Sequence, residues 1–244
     1  MKTVSQIIFS ASNALNKWLK LDLPRLPSPD GKRIGTQSLI TDAKAISWQC
    51  HVVSNTYNGH FYTVIAVEAY SRFTLLLPFD FAPTQNELQE RICQQWTHSL
   101  VSLMVQHGEL PRELAPLAFS HIIDQMDNVA WWRNTDLSVN GHVGDAGQWV
   151  TQTIADRNID ALSDDDALDL AYYINSFHKR AKDDNGKKRQ FYPVPNFVED
   201  GLSRFMSGWL DSGDIPDPYQ MVNSKSAVKN NVVSMADYRA GKVK

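Results

Sequence analysis

Cysteine is almost missing from this chain, with only Cys50 and Cys93 among 244 residues. Two thiols cannot build a disulfide framework, and one falls in a predicted strand while the other falls in a predicted helix. Both read as buried, reduced side chains. Metal-ligand spacing is also lacking. Histidines stand at positions 51, 60, 98, 107, 121, 142 and 178, yet they form no His-x-x-x-His pair, and there is no Cys-x-x-Cys pair. Asp164-Asp165-Asp166 has neither the spacing nor the glycine of a calcium loop. A Gly-x-Ser-x-Gly elbow and a glycine-rich phosphate cradle are both absent, and Glu68 has no lysine two residues on. These absences argue against standard catalysis and call for no metal and no cofactor. No run approaches the roughly 20 apolar residues of a membrane span. Ser, Asn and Lys break residues 1–20 too often for a signal peptide. A cytoplasmic, bacterial-type protein with no membrane contact is expected. Excess charge is missing as well. A net charge of −3 draws the whole chain to no polyanion, so any such contact has to be a local patch.

What remains is the composition of a globular protein, 43% hydrophobic and 21% charged. Val4, Ile7, Ile8, Ala11, Leu15, Trp18 and Leu19 recur at helical spacing and predict an amphipathic first helix. Pro24, Pro27, Pro29 and Gly31 then open an extended loop. Residues 48–79 hold three apolar, β-branched and aromatic runs cut at Asn58-Gly59 and Tyr70-Ser71-Arg72, the pattern of an antiparallel meander. Its evenly apolar middle run, 61–69, should be covered on both faces.

Thr84-x-x-Glu87 is a capping box that opens a helix whose inner face is Leu88, Ile92, Trp96, Leu100, Leu103 and Met104, with Gly108 at its end. Helices over 111–126 and about 145–154 and a short strand at 129–132 follow. Acidic residues at 164–166 and basic residues at 178–182 bracket a further helix, each cluster matching the helix dipole. Tyr192-Pro193-Val194-Pro195 reads as a stiff connector before a helix at 197–210, and little fixed structure is expected beyond 211.

The fold class expected is α+β: an antiparallel three- to four-stranded meander packed against helices, with helical N- and C-terminal extensions. The corresponding units are 1–44 (helix and Pro-rich loop), 45–155 (core domain), 156–210 (helical extension) and 211–244 (tail with a short docking segment).

Residues 46–154 carry Ser47-Trp48-x-x-His51, Tyr70-Ser71-Arg72-Phe73, the capped helix from Thr84 and Asn134-Thr135-Asp136-x-Ser138-Val139. In these motifs the chain resembles the DUF6933 family, small bacterial proteins without assigned function. The resemblance implies a single α+β domain and a setting near mobile elements. It implies no catalytic residue.

Three candidate sites stand out. The polar strip 133–142 gathers Arg133, Asn134, Asp136, Ser138 and His142. It reads either as a recognition loop or as turn chemistry, in which Asn, Asp and Ser bond their own backbone. Together with His51 and Arg72, Arg133 would make a pocket for an acidic or phosphorylated ligand. The second site is the basic run Lys179, Arg180, Lys182, Lys187, Lys188 and Arg189, flanked by Phe177, Phe191 and Tyr192. It suits nucleic acid, or else it is a helix end followed by a solvated loop. Third, Val232, Val233, Met235 and Tyr238 form an apolar island in a polar tail, fit either to dock on the chain itself or to bind a protein partner.

The leading expectation is a non-enzymatic interaction or regulatory protein, an accessory component of a mobile-element or defence-type system, with a protein partner. Nucleic-acid binding through 177–192 is the alternative, and an unrecognised enzyme acting on a phosphorylated or acidic ligand is the second.

Overall fold

Ser12 marks the point where the N-terminal segment changes from strand to helix. Its side chain accepts from the Leu15 amide and caps a short helix, while the residues before it are extended. The computed structural model describes residues 6–28, 31–32, 34–55, 61–182 and 187–209. The Asn58-Gly59 turn and the tail candidates Val232, Val233, Met235 and Tyr238 lie outside the described residues.

Strand β1 (Gln6–Ala11) leads through helix α1 (Asn13–Trp18) to β2 (Ala45–Ser54), β3 (Tyr62–Glu68) and β4 (Thr74–Phe79). The chain continues through α2 (Gln85–Gln106), α3 (Ala115–Ile123), β5 (Val129–Arg133), α4 (Leu137–Arg157) and α5 (Asp164–Asn175). It then forms β6 (Lys179–Lys182), β7 (Lys188–Phe191), α6 (Pro193–Gly201) and a π turn over Leu202–Met206.

The main sheet has five strands in the order β4-β3-β2-β1-β5. β2, β3 and β4 run antiparallel, whereas β1 is parallel to both β2 and β5. This mixed sheet overturns the expected antiparallel meander of three to four strands. It also replaces the expected N-terminal helix with an interior strand. The physical reason is a degeneracy of spacing. Ile7 and Ala11, four residues apart, share a face in a helix and in a strand alike, and burial on both faces erases the polar alternation that separates the two.

Both faces of the sheet are covered. On one side Phe9, Trp48, Cys50, Val64, Ala66 and Leu75 pack under α1, α2, α3 and α6. On the other, Ile65, Val67 and Leu76 meet Val139, Val143 and Val150 of α4 and Ala167 and Ile174 of α5. β3 therefore contributes alternate residues to two cores, as its unbroken apolar run predicts. Trp48 packs on Trp96 at 5.1 Å, and the ring of Phe197 on α6 stacks on Phe73 at 3.9 Å. The Thr84–Glu87 capping box is present, and Gly108 takes φ +76° just past the end of α2, a left-handed turn that suits glycine.

The region after α5 departs most from expectation. That helix stops at Asn175, and no basic residue lies in its last turn. Lys179, Arg180 and Lys182 belong instead to a two-stranded hairpin, β6 with β7, and not to a helix end. The supposed connector at 193–195 opens α6, with Pro193 in the first turn, where a missing N–H costs nothing.

Candidate functional site

The polar strip is built into the fold. Arg133 ends β5, and Asp136 caps α4 by accepting from the Ser138 and Val139 amides at 2.7 and 3.4 Å. Its other carboxylate oxygen accepts from Leu39 N at 2.7 Å. Asn134 accepts from Gln37 N at 2.8 Å and donates to Gln37 O at 3.0 Å. Beneath them the buried Gln49 accepts from Asp136 N at 2.9 Å and donates to the carbonyls of Ser10 and Asn134 at 2.8 and 3.1 Å. Asn134 and Asp136 thus fasten the 37–39 loop and the start of α4 to the sheet. For Asn134 and Asp136 the role is structural, because their side chains are consumed internally, whereas His142 and Ser138 line cavities.

His51, Arg72 and Arg133 do not converge. His51 faces a groove of about 520 Å³ between β2 and α4, over Gly144 and Gly147. Its Nδ1 lies 2.8 Å from Ser12 Oγ, and burial pulls its pKa down. Although the pair resembles a nucleophile and its base, Ser12 is buried and already caps α1, and among the described residues no carboxylate orients the imidazole. Arg133 lies at the far edge strand, its main chain paired with Pro24 and Leu26. Arg72 sits in the β3–β4 turn, held by a hydrogen bond to Ala69 O and a long one, 3.4 Å, to Ser138 Oγ.

The hairpin draws several candidates together. Register puts Lys179 opposite Phe191 and Ala181 opposite Arg189 on one face, and Arg180 opposite Gln190 and Lys182 opposite Lys188 on the other. The first face turns toward the body of the protein, with Lys179, Ala181 and Arg189 half-buried. On the second, Arg180, Lys188 and Gln190 are exposed. Lys187 is exposed beside it, and Tyr192 is exposed with its ring against His178 at 5.7 Å.

On one side of the hairpin a cavity of about 550 Å³ is lined by His142, Asp145 and Trp149 of α4 and by Phe177, Lys179 and Arg180. Its rim is an exposed aromatic cluster. Trp149 and Phe177 lie parallel, 6° apart with centroids at 6.3 Å, and Tyr173 stands edge-on to both at 5.3 and 4.8 Å. These rings are 37%, 42% and 48% exposed for Trp149, Phe177 and Tyr173, a contiguous patch that water does not favour.

Burial, reinforced by the charges of Arg72 and Lys179, lowers the His142 pKa to about 4. The imidazole is therefore neutral at physiological pH. Burial also lowers the pKa of Lys179, which Asp145 partly opposes. A second cavity, of about 680 Å³, is lined by Thr41, Tyr70, Arg72, Ser138, Ala181 and Arg189.

Among the described residues no group of three or more His, Cys, Asp or Glu side chains is placed to hold a metal, and no helix is long and apolar enough to cross a membrane. Sequence reasoning missed Gln49, Tyr70, Trp149 and Tyr173. Trp149 carried a legible signal, since it falls between Gln148 and Gln152 and off the inward stripe of Val139, Val143, Ala146 and Val150. Tyr173 and Phe177 are four apart, but a single helical turn gives no hint of the Trp149 ring that joins them. No family model, no curated protein and no solved structure matches the chain, so the reading of this site rests on its own chemistry.

Proposed function

We propose that the protein is a non-enzymatic binding protein whose ligand is single-stranded nucleic acid, held across the basic hairpin and the ring cluster beside it. The observation that carries this reading is the junction of Trp149 and Phe177, with Tyr173 edge-on to both, to the cationic hairpin through the cavity that the two rings share with it. Exposed rings offer faces on which bases stack, worth about 1–3 kcal/mol per base, and stacking tolerates any sequence. Arg180 and Lys188 present positive charge toward solvent for the phosphates. Because the chain as a whole is slightly acidic, attraction is confined to this patch and binding is sensitive to salt. A protein partner docking on the polar strip has less support, since Asn134 and Asp136 spend their hydrogen-bonding capacity inside the fold.

The test is fluorescence anisotropy of labelled oligonucleotides, single- and double-stranded, with full-length protein at increasing salt. Binding should favour the single strand, and log affinity should fall with log salt at a slope of about −2, from roughly three neutralised phosphates. Trp149→Ala and Phe177→Ala should each weaken binding about 5- to 100-fold, and Arg180→Glu with Lys188→Glu should abolish it at moderate salt. If the protein fails to bind any oligonucleotide at low salt, the reading is wrong and the patch is a surface for a protein partner.

A further inference from the structure

Arg72 is a cation in an unusual position. Only 7% exposed, it takes φ +59° without being glycine, a strained backbone geometry kept by Arg72 N donating to Glu68 O at 3.0 Å. Its guanidinium carries five N–H donors. One nitrogen bonds Ala69 O, a second reaches Ser138 Oγ only at 3.4 Å, and Nε is buried with no acceptor. Among the described residues no carboxylate lies within ion-pair distance of it. A buried guanidinium in that state is costly unless something anionic arrives to meet it.

The second cation of the cavity is Arg189. Its guanidinium lies over Tyr70 at 5.3 Å and over Phe191 at 4.6 Å, so the rings steer the plane and leave the N–H edge open. Burial lowers the Arg72 pKa, and repulsion from Arg189 adds a smaller push in the same direction.

The nearby carboxylates are already engaged. Glu68 accepts from Thr41 Oγ1, from Tyr70 N and from both Ser71 N and Ser71 Oγ. Asp136 accepts from Leu39, Ser138 and Val139 amides. They offset the Arg72 charge from a distance and leave its fork unfilled.

We infer that the cavity walled by Arg72, Arg189, Tyr70, Thr41 and Ser138 is a binding site for a phosphate monoester. Two planar guanidinium forks match the paired oxygens of such a dianion, and the Ser138 hydroxyl, which only accepts from Arg72, is left to donate to another. At about 680 Å³ the space admits the phosphoryl group together with a small organic remainder. The hairpin and α4 border both cavities, but the two share no lining residue, so the site is separate from the proposed nucleic-acid surface.

Isothermal titration calorimetry of the full chain with inorganic phosphate tests the assignment, with sulfate and chloride at matched ionic strength as controls. Saturable one-to-one binding of phosphate, at least tenfold tighter than sulfate, is expected. Arg189→Gln, a change on the half-exposed hairpin, and Arg72→Lys, which keeps the charge but removes the fork, should each weaken it at least tenfold. Trp149→Ala should leave phosphate affinity unchanged while weakening oligonucleotide binding, which separates the two proposals. If Arg72→Lys does not fold by circular dichroism, Arg189→Gln decides alone. Non-saturable heat, equal affinity for sulfate, or full affinity in Arg189→Gln overturns the inference.

Discussion

Asn175 holds both backbone groups of Thr74. Its Oδ1 accepts from Thr74 N and its Nδ2 donates to Thr74 O, each at 2.9 Å. The last residue of α5 is thereby locked to the first residue of β4, and the hairpin begins four residues later. Asn175 is 1% exposed, so Asn175→Ala leaves a buried donor and a buried acceptor unpaired. Stability should fall by about 2–4 kcal/mol, read as a lower denaturant midpoint. A change under about 0.5 kcal/mol would show that water replaces the amide.

Gly201 ends α6 against the core. A Cβ there would stand 2.5 and 2.7 Å from the two terminal carbons of Leu100, which is fully buried and has little room to retreat. Gly201→Ala removes a flexible residue from a helix, a change that usually stabilises. Here overpacking should win, with a loss of about 1–3 kcal/mol and a Tm several degrees lower. A raised Tm would mean that α6 can slide away from α2.

Gln49 bridges β1, β5 and α4 through hydrogen bonds to Ser10, Asn134 and Asp136. Gln49→Leu keeps the volume and strands their backbone groups. The expected loss is about 2–3 kcal/mol, with faster hydrogen exchange at the Asp136 amide than in the core of β3. Uniform exchange across both would place the weakness elsewhere.

His142 carries a pH dependence of defined sign. Its folded pKa, lowered to about 4, lies below the ordinary value of 6.5. The unfolded chain therefore takes up the proton first as pH drops. The contribution to stability is complete above pH 6.5, declines from there toward pH 4, and is gone below it. Since the ring is only partly buried, solvent screening holds the effect to about 1–2 kcal/mol. His51, lowered in the same direction by burial, adds to the slope. His142→Gln should flatten the denaturation midpoint between pH 6.5 and 4 without removing the slope altogether. An unchanged profile would mean that His142 is solvated in the folded protein.

Both cysteines are free and buried. Burial pushes the Cys93 thiol up to about 12 and raises that of Cys50 as well. Neither should react with a thiol reagent at pH 8 in native protein, and both should react on unfolding. Rapid labelling of one thiol in native buffer would show a local opening around α2 or β2.

How far the sequence reveals this fold depends on the range of the interactions. The Thr84–Glu87 box and the Ser163 cap of α5 involve residues three positions apart, and their helices start where that chemistry says. The double burial of β3 is written in its unbroken apolar run. In β1, by contrast, the spacing of Ile7 and Ala11 satisfies two periods at once, and pairing with residues nearly 40 and more than 120 positions away resolves the choice. The hairpin was hidden because Lys179-Arg180-Ala181-Lys182 shows no apolar alternation, and the stop before it comes from Asn175 reaching back 101 residues to Thr74.

For the candidate site, the basic residues could be read directly from the chain, but the direction each one faces could not. Cross-strand register turns Lys179 and Arg189 inward and leaves Arg180 and Lys188 in water. Composition and nearest-neighbour patterning were enough for the helix caps, the buried thiols and the location of positive charge, since these depend on groups within a turn or on burial averaged over a run. The parallel strand at the sheet's interior, the rings meeting at Trp149 and the pairing of Arg72 with Arg189 required the folded chain. Each joins residues dozens of positions apart, and only the closing of the intervening chain against a common core sets the distance between them.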